Sequence, residues 1–447
     1  MTRTLRGGEL IAKSRRTIAR HFLPESVFEQ PKWVAKGFWA IVDQALFAGA
    51  NFLLNIVLAR WLSVEEYGAF AVAYSIFLLL GAFHTSFLTE PMLVFGAGKY
   101  NDRWGEYLGV LTYGHWVFGI VTGLVLAAAG AFFFRDGAGE IGQALVGLAI
   151  ASPFILLLWL TRRAFYVQSR PEWSALGGVL YMALMLAGIY ALYVMQCVSA
   201  FGALVVMGLA SCLVSTAFVM KLKPKWRISL RDAGTREMIR NQWTYARWSA
   251  GTTVLTWIPG NIYYSLLPVW TGLAGAAALR ALMNLAMPIL HANSALSVLL
   301  LPHFAKAVQF GGGTALKREV KRSQFVLVAS AVAFWLLLLC FGYQLVQLLY
   351  GNRYIEYAEI LPIIGLLPIS AAVVAVLGAA LRALERPHIV FWCYVASSVF
   401  TFTGGLGLAF VLGVQGAAFA LFLSSLTTAV GMVVSFYFVG KKQGGAQ

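Results

Sequence analysis

Apolar stretches of about 20 residues recur along the whole chain and are separated by short polar links. Twenty helical residues span roughly 30 Å, the thickness of the hydrocarbon core of a bilayer. The pattern therefore predicts an all-α polytopic membrane protein of about twelve transmembrane helices. The predicted spans are residues 38–59, 67–89, 108–134, 141–161, 175–195, 199–220, 248–270, 273–301, 324–349, 360–381, 389–411 and 414–439.

Basic residues mark alternate links between these spans. Of the 34 Lys and Arg residues, 30 lie in the N-terminal segment, in the links after even-numbered spans and in the C-terminal tail. The other links hold only Arg60, Arg135 and Arg353, and Arg280 alone lies inside a predicted span. Because Lys and Arg are enriched in cytoplasmic links, we expect both termini to face the cytoplasm.

Composition adds three points to this topology. The chain is 60% hydrophobic with a net charge of +16, a charge that topology and anionic lipid headgroups explain without any nucleic-acid partner. The basic N-terminal segment has no short apolar core followed by a cleavage site, so we expect no removable signal peptide. The four cysteines have the spacing of neither a zinc site nor a disulfide framework, and we expect no metal and no cofactor.

The largest internal link divides the spans six and six. We predict a cytoplasmic N-terminal segment (1–37), a first six-helix bundle (38–220), a basic cytoplasmic linker (221–247), a second six-helix bundle (248–439) and a cytoplasmic tail (440–447). Bundles with an even number of helices share one orientation, so a pseudo-two-fold axis along the membrane normal would relate them. A faint repeat supports this: at an offset of 209, Trp61 aligns with Trp270 and Ala71 with Arg280.

Polar side chains form stripes on two of the predicted helices. At 100° per residue, Gln44, Asn51 and Asn55 share one face of the first span, and Arg280, Asn284 and His291 share one face of the eighth. The second span is polar at its inner end, at His84 and Glu90. We take as substrate-binding candidates Arg280, Asn284, His291, Gln44, Asn51, Asn55 and His84.

Two carboxylates and one helix irregularity complete the candidate site. Charges inside a membrane usually mark a pathway or binding site, so Asp43 and Glu90 are candidates for a coupling ion. Pro259 and Gly260 are candidates for a hinge in the seventh span. Two structural alternatives stay open: the amides could simply join helices by hydrogen bonds, and Arg280 could extend outward to the membrane interface.

Four motifs carry a resemblance to a known family: "LARWLSVEEYGAF", "LTEPMLVFGAGKY", "GAAALRALMNLAMPI" and "ALRALERPHIVFWCYV". From about residue 35 onward the chain resembles the bacterial polysaccharide transporters, the O-antigen-flippase-like branch of the multidrug/oligosaccharidyl-lipid/polysaccharide exporter superfamily. The resemblance implies two six-helix bundles around a cavity open to alternate sides of the bacterial inner membrane. It also implies a cargo of undecaprenyl-diphosphate-linked oligosaccharide, with polysaccharide polymerase and glycosyltransferase proteins as further partners beside membrane lipids.

The resemblance suggests a flippase, and two other functions compete with it. A cation-coupled drug or metabolite exporter of the same architecture would use Asp43 with Tyr263 and Tyr264 to face organic cations. A membrane enzyme acting on lipid-linked sugars would be expected to place acid or base groups in an external loop, and the predicted external links are very short. We therefore expect a transporter and no enzyme.

Overall fold

The computed structural model describes residues 31–226, 229 and 231–444, and within these residues the chain is helical and contains no strand. The helices are α1 (Pro31–Trp61), α2 (Val64–His84), α3 (Glu90–Ala97), α4 (Trp104–Arg135), α5 (Gly139–Val167), α6 (Pro171–Val194), α7 (Ala200–Leu222), α8 (Ala233–Leu266), α9 (Pro268–Tyr350), α10 (Leu361–Ile364), α11 (Leu367–Ala383), α12 (Pro387–Phe400) and α13 (Leu406–Gly444). Short π-helical turns join α2 to α3 and α12 to α13.

The described helices account for the twelve predicted crossings. Ten helical segments are long and apolar enough to span a membrane. Two of them, Ala233–Ser294 and Pro387–Val439, have 62 and 53 residues, more than twice the length that one crossing needs. Each is interrupted at a glycine with positive φ, Gly272 (φ 70°) and Gly413 (φ 58°), a conformation that favours glycine and ends the helix. Each long segment therefore makes two crossings.

Large apolar side chains cover the outside of the bundle. In the segment Trp104–Arg135, only 17% of the most apolar 18-residue stretch is buried inside the protein. Ile120 and Leu124 on this helix are exposed. An apolar surface of this extent is stable against lipid and unstable against water. The fold is therefore that of the predicted all-α membrane protein with two helical bundles.

The predicted basic linker is partly helical. Helix α7 ends at Leu222 and helix α8 begins at Ala233, so residues 233–247 of the predicted linker are helical. The carboxylate of Asp232 accepts a hydrogen bond from the Thr235 N–H (2.9 Å), which caps α8 and lowers the pKa of Asp232. Residues 1–30 of the predicted N-terminal segment, and 445–447 of the tail, lie outside the described residues.

Helix α8 follows the first half of the chain along its whole length. At one end Ser75 Oγ lies 2.8 Å from Ser265 Oγ, and Ser75 O accepts a hydrogen bond from Trp257 Nε1 (3.2 Å). At the other end Lys99 forms an ion pair with Glu237 (2.7 Å). We call these the hairpin end, where α1 turns into α2, and the linker end, where α7 ends and α8 begins.

Candidate functional site

Arg280 lies buried where the two halves meet. Its side chain projects from α9, and the residue is only 6% exposed. The Nε atom donates to Asn55 Oδ1 on α1 (2.9 Å). The guanidinium carbon lies 4.5 Å from the ring centre of Tyr74 and 5.6 Å from that of Tyr264. Arg280 therefore does not extend to the membrane interface but contacts α1, α2 and α8 at once.

The surroundings of Arg280 are polar but uncharged. Within the part of the chain that the structure describes, no carboxylate lies within 4.0 Å of its guanidinium. Amide oxygens and the faces of aromatic rings partly replace water around a cation, yet they do not neutralise its charge. The site therefore has a positive potential in a region of low dielectric constant, where an anion would be strongly attracted.

The amides of the first stripe are held in place by tyrosines of α2. Asn55 Oδ1, which accepts from Arg280, also accepts from Tyr67 OH (3.3 Å). One turn earlier, Asn51 Oδ1 accepts from Tyr74 OH (3.2 Å). The same tyrosine ring lies against the guanidinium of Arg280. These hydrogen bonds fix the amides of α1 between α2 and α9.

The polar stripe on α9 also contacts α1 at Asn284, one turn after Arg280. Asn284 Nδ2 lies 3.3 Å from the carbonyl oxygen of Phe52 and 3.5 Å from Tyr350 OH. Tyr350 OH in turn donates to the carbonyl oxygen of Ala281 (2.9 Å). The two predicted stripes, from spans 1 and 8, therefore face each other.

The two stripes separate towards the linker end. Asn55 and Asn284 are buried, whereas Gln44 on α1 and His291 on α9 are exposed. Both exposed residues lie on the linker side of the contact between α1 and α9. The two polar faces therefore become more exposed towards the linker end, and we call the space that they border the cleft.

The cleft is closed at the hairpin end. Arg353 donates to the carbonyl oxygen of Leu62, and the rings of Tyr67 and Tyr354 lie 6.3 Å apart. Gly68 packs so closely against α9 that an added Cβ would lie 2.1 Å from the Leu273 carbonyl oxygen. These contacts join the two halves across the hairpin end.

Asp43 forms a buried ion pair with a partner that the sequence did not suggest. Its Oδ1 lies 2.6 Å from Arg162 Nη2, and its Oδ2 accepts from Tyr166 OH (2.7 Å). Arg162 lies in α5 one residue beyond the predicted end of the fourth span, and it is 7% exposed, so Arg280 is not the single buried arginine among the described residues. The predicted fourth span ended at residue 161, and one further turn of helix would have included it.

Glu90 connects the halves at the linker side of the π-helical turn. Its carboxylate accepts hydrogen bonds from Tyr245 OH (3.2 Å) and from Ser249 Oγ, both on α8. All of these contacts are with neutral donors. Its coupling role stays a prediction, and the structure places it in the contact between α3 and α8.

His84 lies apart from the arginine. Its Nε2 is 3.0 Å from Nδ1 of His115 on α4, and its ring also packs against Phe118 of the same helix. The structure thus brings four of the seven substrate candidates together, Arg280, Asn284, Asn51 and Asn55, and leaves Gln44 and His291 exposed on the linker side of them. His84 is not among them.

The proposed hinge lies in an unbroken helix. Pro259 is inside α8, which continues from Ala233 to Leu266. A Cβ added at Gly260 would meet no atom within 4 Å, so this position has room for movement. The hinge role stays a prediction. Within the described residues, no group of three or more His, Cys, Asp or Glu side chains could hold a metal ion.

Several solved transporter structures share this fold. A multidrug resistance MATE family transporter of the MOP superfamily in its inward-facing conformation gives a TM-score of 0.72 at 14% identity, covering 91% of this chain and 98% of that one. Its outward-facing counterpart gives 0.64 at 13% identity, with 92% and 97% covered. The lipid II flippase MurJ in an inward closed conformation gives 0.69 at 14% identity, with 90% and 87% covered. No protein-family model matches the sequence, and no curated protein matches it at a significant level.

Proposed function

We propose that this protein is a flippase for a polyprenyl-diphosphate-linked oligosaccharide. It would move this lipid from the cytoplasmic to the external leaflet of a bacterial inner membrane by alternating access. Both termini would face the cytoplasm, so the linker end of the cleft would be its cytoplasmic opening. The observation that carries the proposal is the buried guanidinium of Arg280, which has no carboxylate within 4.0 Å among the described residues and lies at the closed end of a polar cleft.

The chemistry of the cleft supports an anionic, hydroxyl-rich cargo. A diphosphate offers oxygens that a guanidinium binds through charge-assisted hydrogen bonds, which are about twice as strong as neutral ones. The side chains of Gln44, Asn51, Asn284 and His291 follow the cleft from its opening towards Arg280. Amides and imidazoles both donate and accept hydrogen bonds, as sugar hydroxyls require.

The same observations argue against a drug exporter that binds organic cations. Such a site needs a carboxylate facing the cleft. Asp43, the carboxylate that could serve this alternative, is paired with Arg162 and accepts a hydrogen bond from Tyr166. Tyr264 lies beside the guanidinium of Arg280, which would repel a cationic cargo. The MATE structures support the architecture, and the charge of this cleft favours the flippase.

A reconstitution assay tests this function. The purified full chain is placed in phosphatidylcholine vesicles together with a fluorescent polyprenyl-diphosphate oligosaccharide, and the fraction reaching the opposite leaflet is followed with a membrane-impermeant quencher. We expect exchange in vesicles that contain the protein, and at least about tenfold slower exchange for Arg280→Gln. Equal exchange in protein-free vesicles, with or without an ion gradient, would exclude the proposal.

A further inference from the structure

A second cavity lies inside the second half of the protein, behind α8 and α9. It has a volume of about 680 Å³, is open on one side and is lined by α8, α9, α11, α12 and α13. Most of its wall is aliphatic or thioether, including Met283, Met287, Leu421 and Met432. Methionine side chains are flexible and adapt to irregular apolar ligands. The cavity therefore presents a surface suited to a hydrocarbon chain.

Three polar groups in this wall form hydrogen bonds to neighbouring helices. These bonds join Asn293 Nδ2 to Pro368 O (3.3 Å), Ser397 Oγ to Ser424 O (2.7 Å) and Ser425 Oγ to Ser370 Oγ (2.7 Å). Because most of the remaining lining side chains are aliphatic or thioether, the cavity matches an apolar ligand better than a hydroxyl-rich one.

The rim of the cavity carries one cation. Arg382 lies in the last turn of α11 and lines the cavity where α11 ends. Its side chain is exposed, and within the described residues it has no carboxylate within 4.0 Å. An apolar chamber with one cationic group at its mouth is complementary to a lipid with an anionic head.

The cavity lies next to the cleft of the candidate site. Met283 and Met287 project from α9 within about 60° of Arg280, at 100° per residue, and follow it by one and two turns. Pro259 and Gly260 of α8 close the cavity on its other side. Both helices also contact the first half, so α8 and α9 separate this chamber from the cleft.

We propose that this cavity holds the polyprenyl chain of the lipid carrier, with a phosphate of the carrier at Arg382. This inference rests on the proposed function and names the part of the cargo that the second half binds. Two parts of the cargo then bind at separate sites. The hydrocarbon chain occupies the apolar chamber, and the sugars occupy the polar cleft. Loading at the rim would precede transfer of the diphosphate to Arg280.

A sugar-free probe tests this site independently of transport. The full chain in neutral phosphatidylcholine vesicles is photolabelled with a polyprenyl monophosphate that carries a diazirine on its chain, and the labelled peptides are identified by mass spectrometry. We expect labels on the segments of α11 and α13 that line the cavity. Unlabelled polyprenyl phosphate should compete, and phosphatidylglycerol at equal concentration should not. Equal competition by phosphatidylglycerol would assign the cavity to bilayer phospholipid and overturn the proposal.

Two variants with matched controls locate the interaction. Gly378→Leu fills the cavity beside Met432, since a Cβ at this glycine has only ordinary contacts of 3.8 Å. Its control is Gly407→Leu on exposed α13 surface, where a Cβ meets no atom within 4 Å. We expect Gly378→Leu to lower labelling at least about fivefold, in line with the loss of one or two buried methylene contacts, and Gly407→Leu to leave it unchanged.

The charge at the rim is tested in the same way. Arg382→Gln should weaken probe binding about tenfold. The control is Arg386→Gln, which removes an equal charge from a residue outside the cavity wall and should leave probe binding unchanged. Unchanged labelling of both Gly378→Leu and Arg382→Gln would overturn the proposal, even where the wild type moves the full cargo. Conversely, cavity labelling that depends on both residues in a wild type that moves no cargo would support this site and reject the proposed function.

Discussion

Arg280 and Asp43 are both buried ionisable residues, yet their surroundings give them opposite roles. The carboxylate of Asp43 lies 2.6 Å from a buried arginine and accepts a hydrogen bond from a tyrosine. Arg280 has an amide and two aromatic rings around it. Asp43 is paired within the first half, whereas Arg280 has no carboxylate within 4.0 Å among the described residues, so the proposed binding role falls to Arg280.

Replacement of Arg280 should therefore lower cargo exchange without lowering the stability of the protein. We expect Arg280→Met to lower cargo exchange at least about tenfold, since it removes the charge-assisted hydrogen bonds to phosphate. Its thermal unfolding temperature in detergent should equal or exceed that of the wild type, because no buried carboxylate loses a partner. A loss of stability without a loss of exchange would contradict the assigned role.

Replacement of Asp43 should have the reverse effect. Asp43→Asn leaves Arg162 as an uncompensated buried cation, and breaking a buried pair in this way costs about 3–5 kcal/mol. We expect a clear fall in the unfolding temperature, with recovery of much of it in the double variant Asp43→Asn/Arg162→Met. If Asp43→Asn is as stable as the wild type and abolishes ion-coupled exchange, the residue is a coupling site instead.

The contact between α2 and α9 decides how the hairpin end closes. Gly68 lies where α2 crosses α9, directly after the break at Gly272. Because glycine has no side chain, the two backbones approach each other closely there. Small residues permit such close approach between membrane helices, where lipid supplies little other driving force. Helix α8, by contrast, has open space at Gly260.

Alanine at these two glycines should act in opposite ways. Gly68→Ala would place a Cβ 2.1 Å from the Leu273 carbonyl oxygen, so the helices must separate and the closed hairpin end should be destabilised. We expect a lower unfolding temperature and greater access to the cleft from the external side. Gly260→Ala meets no atom and gains about 1 kcal/mol in helix propensity, so its stability should be unchanged or higher. Slower exchange in Gly260→Ala, at normal stability, would support the hinge.

The whole molecule is closed at the hairpin end and open at the linker end. The polar residues of α1 and α9 change from buried to exposed in this direction, from Asn55 to Gln44 and from Asn284 to His291. The alternating access that we propose would require the contacts at the hairpin end to break while new contacts close the linker end.

Cysteine accessibility measures this arrangement. The four native cysteines are first replaced, because Cys197 and Cys340 are exposed and would react. Cysteines placed at Gln44 and His291 should then react with a membrane-impermeant maleimide from the cytoplasmic side, whereas a cysteine at Asn284 should be protected. Reaction of the Gln44 and His291 variants only from the external side would reverse both the state and the proposed orientation.

The sequence alone determined the number of crossings and the two polar stripes. It also predicted the division into two bundles. These features depend on the hydropathy and charge of each segment, which are sums over neighbouring residues. Helical periodicity also placed Asn55 and Asn51 on one face without any knowledge of their neighbours. Periodicity does not determine which helices the stripes face, and the contact between Arg280 and Asn55 is a feature of the tertiary structure.

Only the tertiary structure decided which charges are paired. Arg162 lies 119 residues from Asp43, and their ion pair depends on the rotation and depth of two separate helices. The same is true of the His84–His115 contact, of the closed hairpin end and of the apolar cavity in the second half. Contacts of this kind depend on how helices pack against each other, and the hydropathy of a single segment carries no information about that packing.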